Sequence, residues 1–107
     1  MVPFGGWDMP VQYSGILGEV GAVRNNAGLF DVSHMGRIYI TGTEATEFLE
    51  WVLTASVDGL RVGRARYCMI CNEQGGIIDD TIFYRLAEDR YLLIPNAGNR
   101  AAVIGWF

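Results

Sequence analysis

Two adjacent carboxylates, Asp79 and Asp80, lie in an otherwise apolar part of the sequence and have the clearest capacity for chemistry. The stretch from Ile77 to Arg85 is predicted to be a strand, and successive side chains of a strand point to opposite faces. Asp80 then shares its face with Ile78, Ile82 and Tyr84. A charge on an apolar face is costly unless it is paired or serves a purpose, and burial would make it a better proton acceptor. Asp80 is therefore a candidate general base, and a hydrogen-bonded structural carboxylate beside the Gly75–Gly76 turn remains the alternative.

Asp79 takes the other face of the same predicted strand, together with Thr81, Phe83 and Arg85. Either Arg85 or solvent could satisfy its charge there. From alternation alone, Asp79 is thus expected to have the less demanding environment of the two carboxylates.

The string from Asp31 to Gly36 brings aspartate, serine and histidine close together and includes His34 and Met35. Catalytic triads, however, are assembled from distant parts of a fold, and the sequence has no G-x-S-x-G nucleophile elbow. A hydrolase is therefore disfavoured. By residue type alone, Met35 is expected to fill a core position.

Cys68 and Cys71 form a C-x-x-C pair, a spacing found in redox sites and in half of some zinc sites. A zinc site would need more ligands, and His34 is the only histidine. The flanking residues predict a strand, on which residues three apart face opposite sides. Two buried structural thiols are the preferred interpretation, and no metal site is predicted.

The composition limits the classes of function. The 107 residues suffice for one domain, residues 1–107, and carry 12 acidic against 8 basic residues without a basic cluster. Nucleic acid is therefore not expected as a partner, and no apolar run is long enough to cross a bilayer. With no signal-peptide pattern, the chain is expected to be soluble and intracellular. Half of the residues are hydrophobic and the chain ends on the apolar run 103–107, so we expect apolar surface made for an absent partner.

Hydrophobic periodicity predicts the elements that must position these residues. Helices are expected over residues 15–27, from an N-cap at Thr43 through Leu53, and after a cap at Asn99. Short strands are expected over residues 30–33, 37–41, 66–71, 77–85 and 91–94, with an irregular or briefly extended start. The predicted fold class is α+β, with the later strands in an antiparallel run.

Four stretches carry a resemblance to a known family. They are VPFGGWDMPVQY from residue 2, VR at 23 with AGLFDVSHMG from 27, NEQGGIIDD from 72 with YR at 84, and NAGNR from 96. In this order they resemble the T-protein (aminomethyltransferase) family of the glycine cleavage system. The resemblance implies that the chain supplies one half of a duplicated, mostly antiparallel folate-binding domain with two to three helices.

The resemblance also implies a reaction and its partners. A lipoyl arm on the carrier H-protein delivers an aminomethyl group, tetrahydrofolate takes the carbon, and ammonia leaves. The family's catalytic aspartate falls on Asp80, and its folate contacts fall on Met35, Asp80, Tyr84 and Asn96. Tetrahydrofolate would be a co-substrate, other glycine cleavage components would be partners, and no metal is implied. The compartment would be the bacterial cytoplasm or the mitochondrial matrix.

Some features depart from the family or leave alternatives open. Thr81 stands where leucine is usual, and Pro95 where an aliphatic residue often precedes Asn96. The same fold serves as a folate-binding accessory module in iron–sulfur cluster repair factors and in amine oxidases or demethylases. The Asp pair and the Ser-His-Met string favour the T-protein. The 107-residue chain alone is expected to be inactive, to bind folate weakly or not at all, and to self-associate through its apolar surface.

Overall fold

All 107 residues are described by the computed structural model, which divides them into two units, Met1–His34 and Met35–Phe107. The secondary structure comprises three α-helices and two antiparallel sheets. The predicted α+β class is therefore confirmed. None of the helices is long and apolar enough to cross a membrane.

The first unit begins with a hairpin of strands β1 (Val2–Phe4) and β2 (Trp7–Met9) and continues into helix α1 (Ile16–Asn25). The Glu19 side chain fixes the start of α1, because one carboxylate oxygen accepts the backbone N–H groups of residues 13, 14 and 15. These N–H donors lower the pKa of Glu19, first through that of Ser14. A negative charge at this end also suits the helix dipole.

Two predictions for this unit need correction. Residues 30–33 form no strand, and α1 ends at Asn25 rather than continuing to Ala27. No residue of the first unit is buried, and Leu17 of the predicted apolar stripe is 89% exposed. The apolar stripe of α1 therefore has no covering partner inside its own unit.

The second unit is a four-stranded antiparallel sheet in the spatial order β3-β6-β5-β4. Its strands are β3 (Ile38–Thr41), β4 (Ala65–Cys71), β5 (Ile77–Ala87) and β6 (Arg90–Ile94). The β4–β5 and β5–β6 hairpins confirm the predicted antiparallel run. At the β4–β5 turn, Gly75 adopts a φ of 81°, which favours glycine over residues with a side chain.

One face of this sheet is covered by helix α2 (Ala45–Val52), the segment that follows it, and Val103 of helix α3 (Arg100–Trp106). The predicted stripe of α2 is largely confirmed, since Leu49 is fully buried and Phe48 packs on the core. The start differs from the prediction, because the cap is Glu44 and no side-chain capping bond forms. Burial of this apolar face is the main driving force for folding of the unit.

The other face of the sheet is open and apolar. The strand register brings Tyr67 opposite Ile82, with Ile82 in turn opposite Ile94 of β6. Tyr67 is 57% exposed, and Ile82 and Tyr84 are 37% and 38% exposed. Side chains that alternate away from the core thus form a continuous apolar surface, which we call the open face.

We expect the 107-residue chain to self-associate through this surface, because contiguous apolar patches rarely stay bare in water. Sedimentation equilibrium should give a mass above 11.9 kDa that rises with concentration. Ile82→Lys, which charges the open face, should shift the chain toward the monomer. Glu88→Lys, in the exposed β5–β6 turn, is the control and should not. A monomer mass that is independent of concentration would contradict this expectation.

Candidate functional site

Asp80 lies on the open face, and both of its carboxylate oxygens accept hydrogen bonds from side chains. The Tyr67 hydroxyl donates to Oδ2 at 2.9 Å, and Nδ2 of Asn96 donates to Oδ1 at 3.1 Å. The carboxylate is thus oriented from two sides while it stays accessible to a ligand. Each oxygen keeps lone-pair capacity for a further donor.

Tyr67 was not singled out by the sequence, because its contact with Asp80 depends on the pairing of β4 with β5. The Asp80 carboxylate raises the pKa of the Tyr67 hydroxyl, chiefly by accepting its hydrogen bond and also through its negative charge. Loss of the phenolic proton would put two anions side by side, so the neutral phenol is favoured.

Alternation placed Asp79 and Asp80 on opposite faces correctly, but Ile78, expected beside Asp80, packs against the core, and the expected environments of the two carboxylates are wrong. Asp79, Thr81 and Phe83 point into the core, and Asp79 is only 2% exposed. The apolar face that carries Asp80 is the exposed one. Asp79 therefore occupies the more demanding environment of the pair.

Arg85 does not satisfy Asp79. Its guanidinium donates to the backbone carbonyls of Asp58, Leu60 and Glu88, and it lies 5.5 Å from the ring centre of Tyr91. The Asp79 carboxylate instead accepts the backbone N–H of Asn96 at 2.9 Å, Nδ2 of Asn96 at 3.0 Å and Nδ2 of Asn99 at 2.8 Å. A buried carboxylate thus ties the loop after β6 to the sheet.

Asn96 lies beside Asp80 because β6 ends early. Ile94 pairs with Ile82, so continuation of the antiparallel register would place Asn96 opposite Asp80. Pro95 has no N–H to offer a neighbouring strand, and the ladder stops there. Nδ2 of Asn96 then donates to the main-chain carbonyl of Asp80 at 2.8 Å and so replaces a missing strand hydrogen bond.

Asn99 does not act as the side-chain cap that the sequence predicted. It ends a single 3-10 turn, Ala97–Asn99, and α3 follows without a capping bond from its side chain. The Asn99 amide is committed to Asp79 instead. The only sequence signal for this contact is the pair of asparagines in the NAGNR string, and it does not indicate which acceptor each side chain binds.

Met35 is placed next to the same loop through its neighbour Gly36. The Gly36 N–H donates to the carbonyl of Pro95 at 2.9 Å, and a Cβ at this glycine would lie 2.7 Å from Cγ of Pro95. Only glycine permits so close an approach. Met35 itself is half-buried at this junction.

Tyr84 shares the open face with Asp80, as the sequence predicted, but lies four residues further along β5. At the usual rise of a strand, their side chains start about 13 Å apart. The two residues would therefore contact different parts of one extended ligand.

The other residues considered from the sequence show structural roles. The Asp31 carboxylate accepts the backbone N–H of Ser33, and the His34 ring packs edge-on against Phe4. Cys68 is buried, which raises the pKa of its thiol to about 11, whereas Cys71 is half-buried. No group of three or more His, Cys, Asp or Glu side chains is placed to hold a metal ion.

A cleft of about 960 Å³ lies within the first unit, and Asp80, Tyr67 and Asn96 are not among its lining residues. Its lining residues, which include Trp7, Val20 and Phe30, are almost all exposed and mostly apolar. Its size reflects the uncovered stripe of α1 rather than convergent polar groups. The hydrogen-bonded carboxylate on the open face is the stronger candidate for chemistry.

Comparison with known proteins identifies the family. The GCVT N-terminal domain model matches residues 1–107. The chain belongs to this family. It is 55% identical over 96 residues to an aminomethyltransferase of Corynebacterium jeikeium (strain K411). This match covers 90% of the chain and 25% of that relative. The resemblance drawn from the four sequence motifs is therefore confirmed.

A solved structure from the same family confirms the fold. The glycine cleavage system aminomethyltransferase T from Bartonella henselae matches with a TM-score of 0.93 and 44% identity, over 98% of the chain and 29% of that protein. The chain spans about a quarter of the length of the curated relative.

We expect Asp80→Asn to lower the pKa of Tyr67 toward its ordinary value. The neutral amide removes the negative acceptor whose hydrogen bond and charge disfavour the phenolate, so the phenol releases its proton at lower pH. NMR titration of tyrosine-labelled protein, with Tyr67→Phe to assign the resonance, measures this change. Asp89→Asn, in the exposed turn, should leave Tyr67 unaffected. An unchanged Tyr67 titration in Asp80→Asn would show that the two side chains do not interact.

Proposed function

We propose that the complete protein containing this chain is a tetrahydrofolate-dependent aminomethyltransferase of the glycine cleavage system. In this reaction the aminomethyl carbon passes from the lipoyl arm of the carrier H-protein to tetrahydrofolate. Ammonia is released, and the arm is left as a dithiol. The family membership and the names of the relatives support this assignment. Among the chain's own features, the observation that carries it is the exposed Asp80 carboxylate held by Tyr67 and Asn96.

We assign to Asp80 the role of accepting an N–H of the folate. A carboxylate that is already oriented needs no rearrangement to accept this proton donor, and its negative charge increases electron density on the folate nitrogen. That nitrogen then attacks the aminomethyl carbon as the bond from this carbon to the lipoyl sulfur breaks, and the positive charge that develops on the nitrogen is stabilised by the same carboxylate. The proton on this nitrogen passes to Asp80, which completes general base assistance, and the departing sulfur takes up a proton to give the dithiol. Ammonia leaves as the second folate nitrogen bonds to the same carbon.

The other proposed folate contacts differ in what they can offer. Tyr84, about 13 Å along the strand, supplies an aromatic ring on the open face. The amide nitrogen of Asn96 is occupied by Asp79 and Asp80, so its carbonyl oxygen is the atom left to accept a hydrogen bond from a ligand. Met35 would contribute apolar contact from beside the loop. The apolar open face would bind the flat ring system by excluding water.

The complete protein is needed for this activity. The chain spans 25% of the curated relative, and we propose that the rest of the protein supplies further folate contacts and the surface for the H-protein. Other glycine cleavage components are its proposed partners. The bacterial cytoplasm or the mitochondrial matrix is the proposed compartment.

In the complete protein, Asp80→Asn should lower the rate of folate-dependent ammonia release from the aminomethylated carrier by about 10²–10⁴-fold, the usual contribution of general acid–base groups. Asparagine keeps the size and can still accept a hydrogen bond, but it loses the charge. Asp89→Asn is the matched control and should retain the wild-type rate. The 107-residue chain, assayed in parallel, should release no ammonia. A wild-type rate in Asp80→Asn would sink the assignment of Asp80.

A further inference from the structure

We infer that Asp79 is a positioning residue, which holds the Asp80 carboxylate in its working orientation. Asp79 acts from the buried face of the sheet through its hydrogen bonds to Asn96, and its hydrogen bond from Asn99 holds the same loop at a second point. The inference deepens the proposed function and rests on it. Asp79 itself points into the core and touches no ligand on the open face.

The hydrogen-bond partners of Asp79 are all neutral donors. Oδ1 accepts Nδ2 of Asn96 and of Asn99, and Oδ2 accepts the backbone N–H of Asn96. A carboxylate can accept all of these because both of its oxygens are acceptors. Asparagine at residue 79 would replace one acceptor oxygen with an NH2 group, which would then face an N–H donor of Asn96 or Asn99. The arrangement therefore needs a charge at residue 79, beyond what packing alone requires.

Asn96 carries the effect of Asp79 across the sheet. Its Nδ2 lies within 3.1 Å of Asp79 Oδ1, of the Asp80 carbonyl and of Asp80 Oδ1. Asp79 also accepts the Asn96 backbone N–H, so it fixes Asn96 through both its backbone and its side chain. With its amide nitrogen required by Asp79, Asn96 cannot turn its carbonyl oxygen toward Asp80, where it would repel the carboxylate.

Asn99 closes the loop around the same carboxylate. Its backbone N–H donates to the Asn96 carbonyl at 3.0 Å while its side chain donates to Asp79 at 2.8 Å. The 3-10 turn Ala97–Asn99 is thus fastened to Asp79 at both ends. Loss of the Asn99 amide should loosen Asn96 without removing a charge from the core.

The test uses the complete protein with Asp79→Asn, Asn99→Ala and the control Thr81→Val. Thr81 is buried on the same face of β5, and the only hydrogen bond that its hydroxyl donates is a long one to the Ile82 carbonyl. kcat and the KM for tetrahydrofolate are measured on each variant. The pKa of Tyr67 is measured by NMR as a second readout, because it reports on the place of Asp80 without requiring activity.

We expect Asp79→Asn to lower kcat by about 10-fold or more, with a smaller change in KM, since hydrogen bonds to a charged group are the stronger kind. The Tyr67 pKa should fall as Asp80 disengages. Asn99→Ala should lower kcat and the Tyr67 pKa as well, but by less. If Asp79→Asn does not fold, the result for Asn99→Ala decides whether the inference holds. Thr81→Val should change neither.

Two results would overturn the inference. One is an unchanged kcat and Tyr67 pKa in Asn99→Ala and in a folded Asp79→Asn. The other is an equal loss in Thr81→Val, which would mean that any disturbance of this face has the same effect. If the wild-type complete protein showed no transferase activity, the proposed function would fail. The Tyr67 readout would still decide whether Asp79 positions Asp80.

Discussion

The hydrogen bonds that the buried Asp79 carboxylate accepts from Asn96 and Asn99 are the interaction on which the site depends. A buried charge without partners is strongly unfavourable, and each buried donor left without an acceptor costs about 1–3 kcal/mol. Asp79 and the loop after β6 therefore require each other. Because the loop also contacts the Asp80 carbonyl and carboxylate, the same requirement sets the geometry on the far side of the sheet.

The two-sided sheet explains how neighbouring aspartates come to have different roles. One face is covered by α2 and Val103, whereas the face that carries Tyr67, Ile82 and Tyr84 is open. Because side chains alternate along a strand, adjacent carboxylates on β5 fall into the two environments. The buried one can serve structure and the exposed one can serve chemistry. Asn96 connects the two carboxylates because Pro95 ends β6 just before it. The Asn96 side chain can then donate the hydrogen bond that a continuing strand would have supplied.

Local periodicity predicted much of this fold, since the elements concerned carry their own signal. The stripe of α2, the β4–β5 hairpin and the shared face of Asp80 and Tyr84 all follow from residue spacing and are confirmed. Residues 30–33 were predicted as a strand, but no neighbouring strand pairs with them. A high β-propensity does not produce a strand where no neighbouring strand is available for pairing.

The errors at the site have a common cause. Alternation gives two faces but does not say which one the helices cover, so the environments of Asp79 and Asp80 were exchanged. The roles of Tyr67 and Asn99 arise from contacts between residues 13 and 20 positions apart in the sequence. Such contacts follow from strand pairing and from the path of a loop. The family resemblance identified Asp80 and Asn96 but gave no role to the residues that hold them.

Hydrogen exchange of the Asn96 backbone amide in the complete protein shows most directly whether Asp79 holds the loop after β6. The amide lies outside any strand or helix, yet we expect slow exchange, comparable with that of amides in the β5–β6 ladder, because it donates to a buried carboxylate. Asp79→Asn should speed this exchange, whereas Asp89→Asn should not. Exchange of the Asn96 amide as fast as that of a solvated loop in the wild-type protein would mean that Asp79 does not hold the loop.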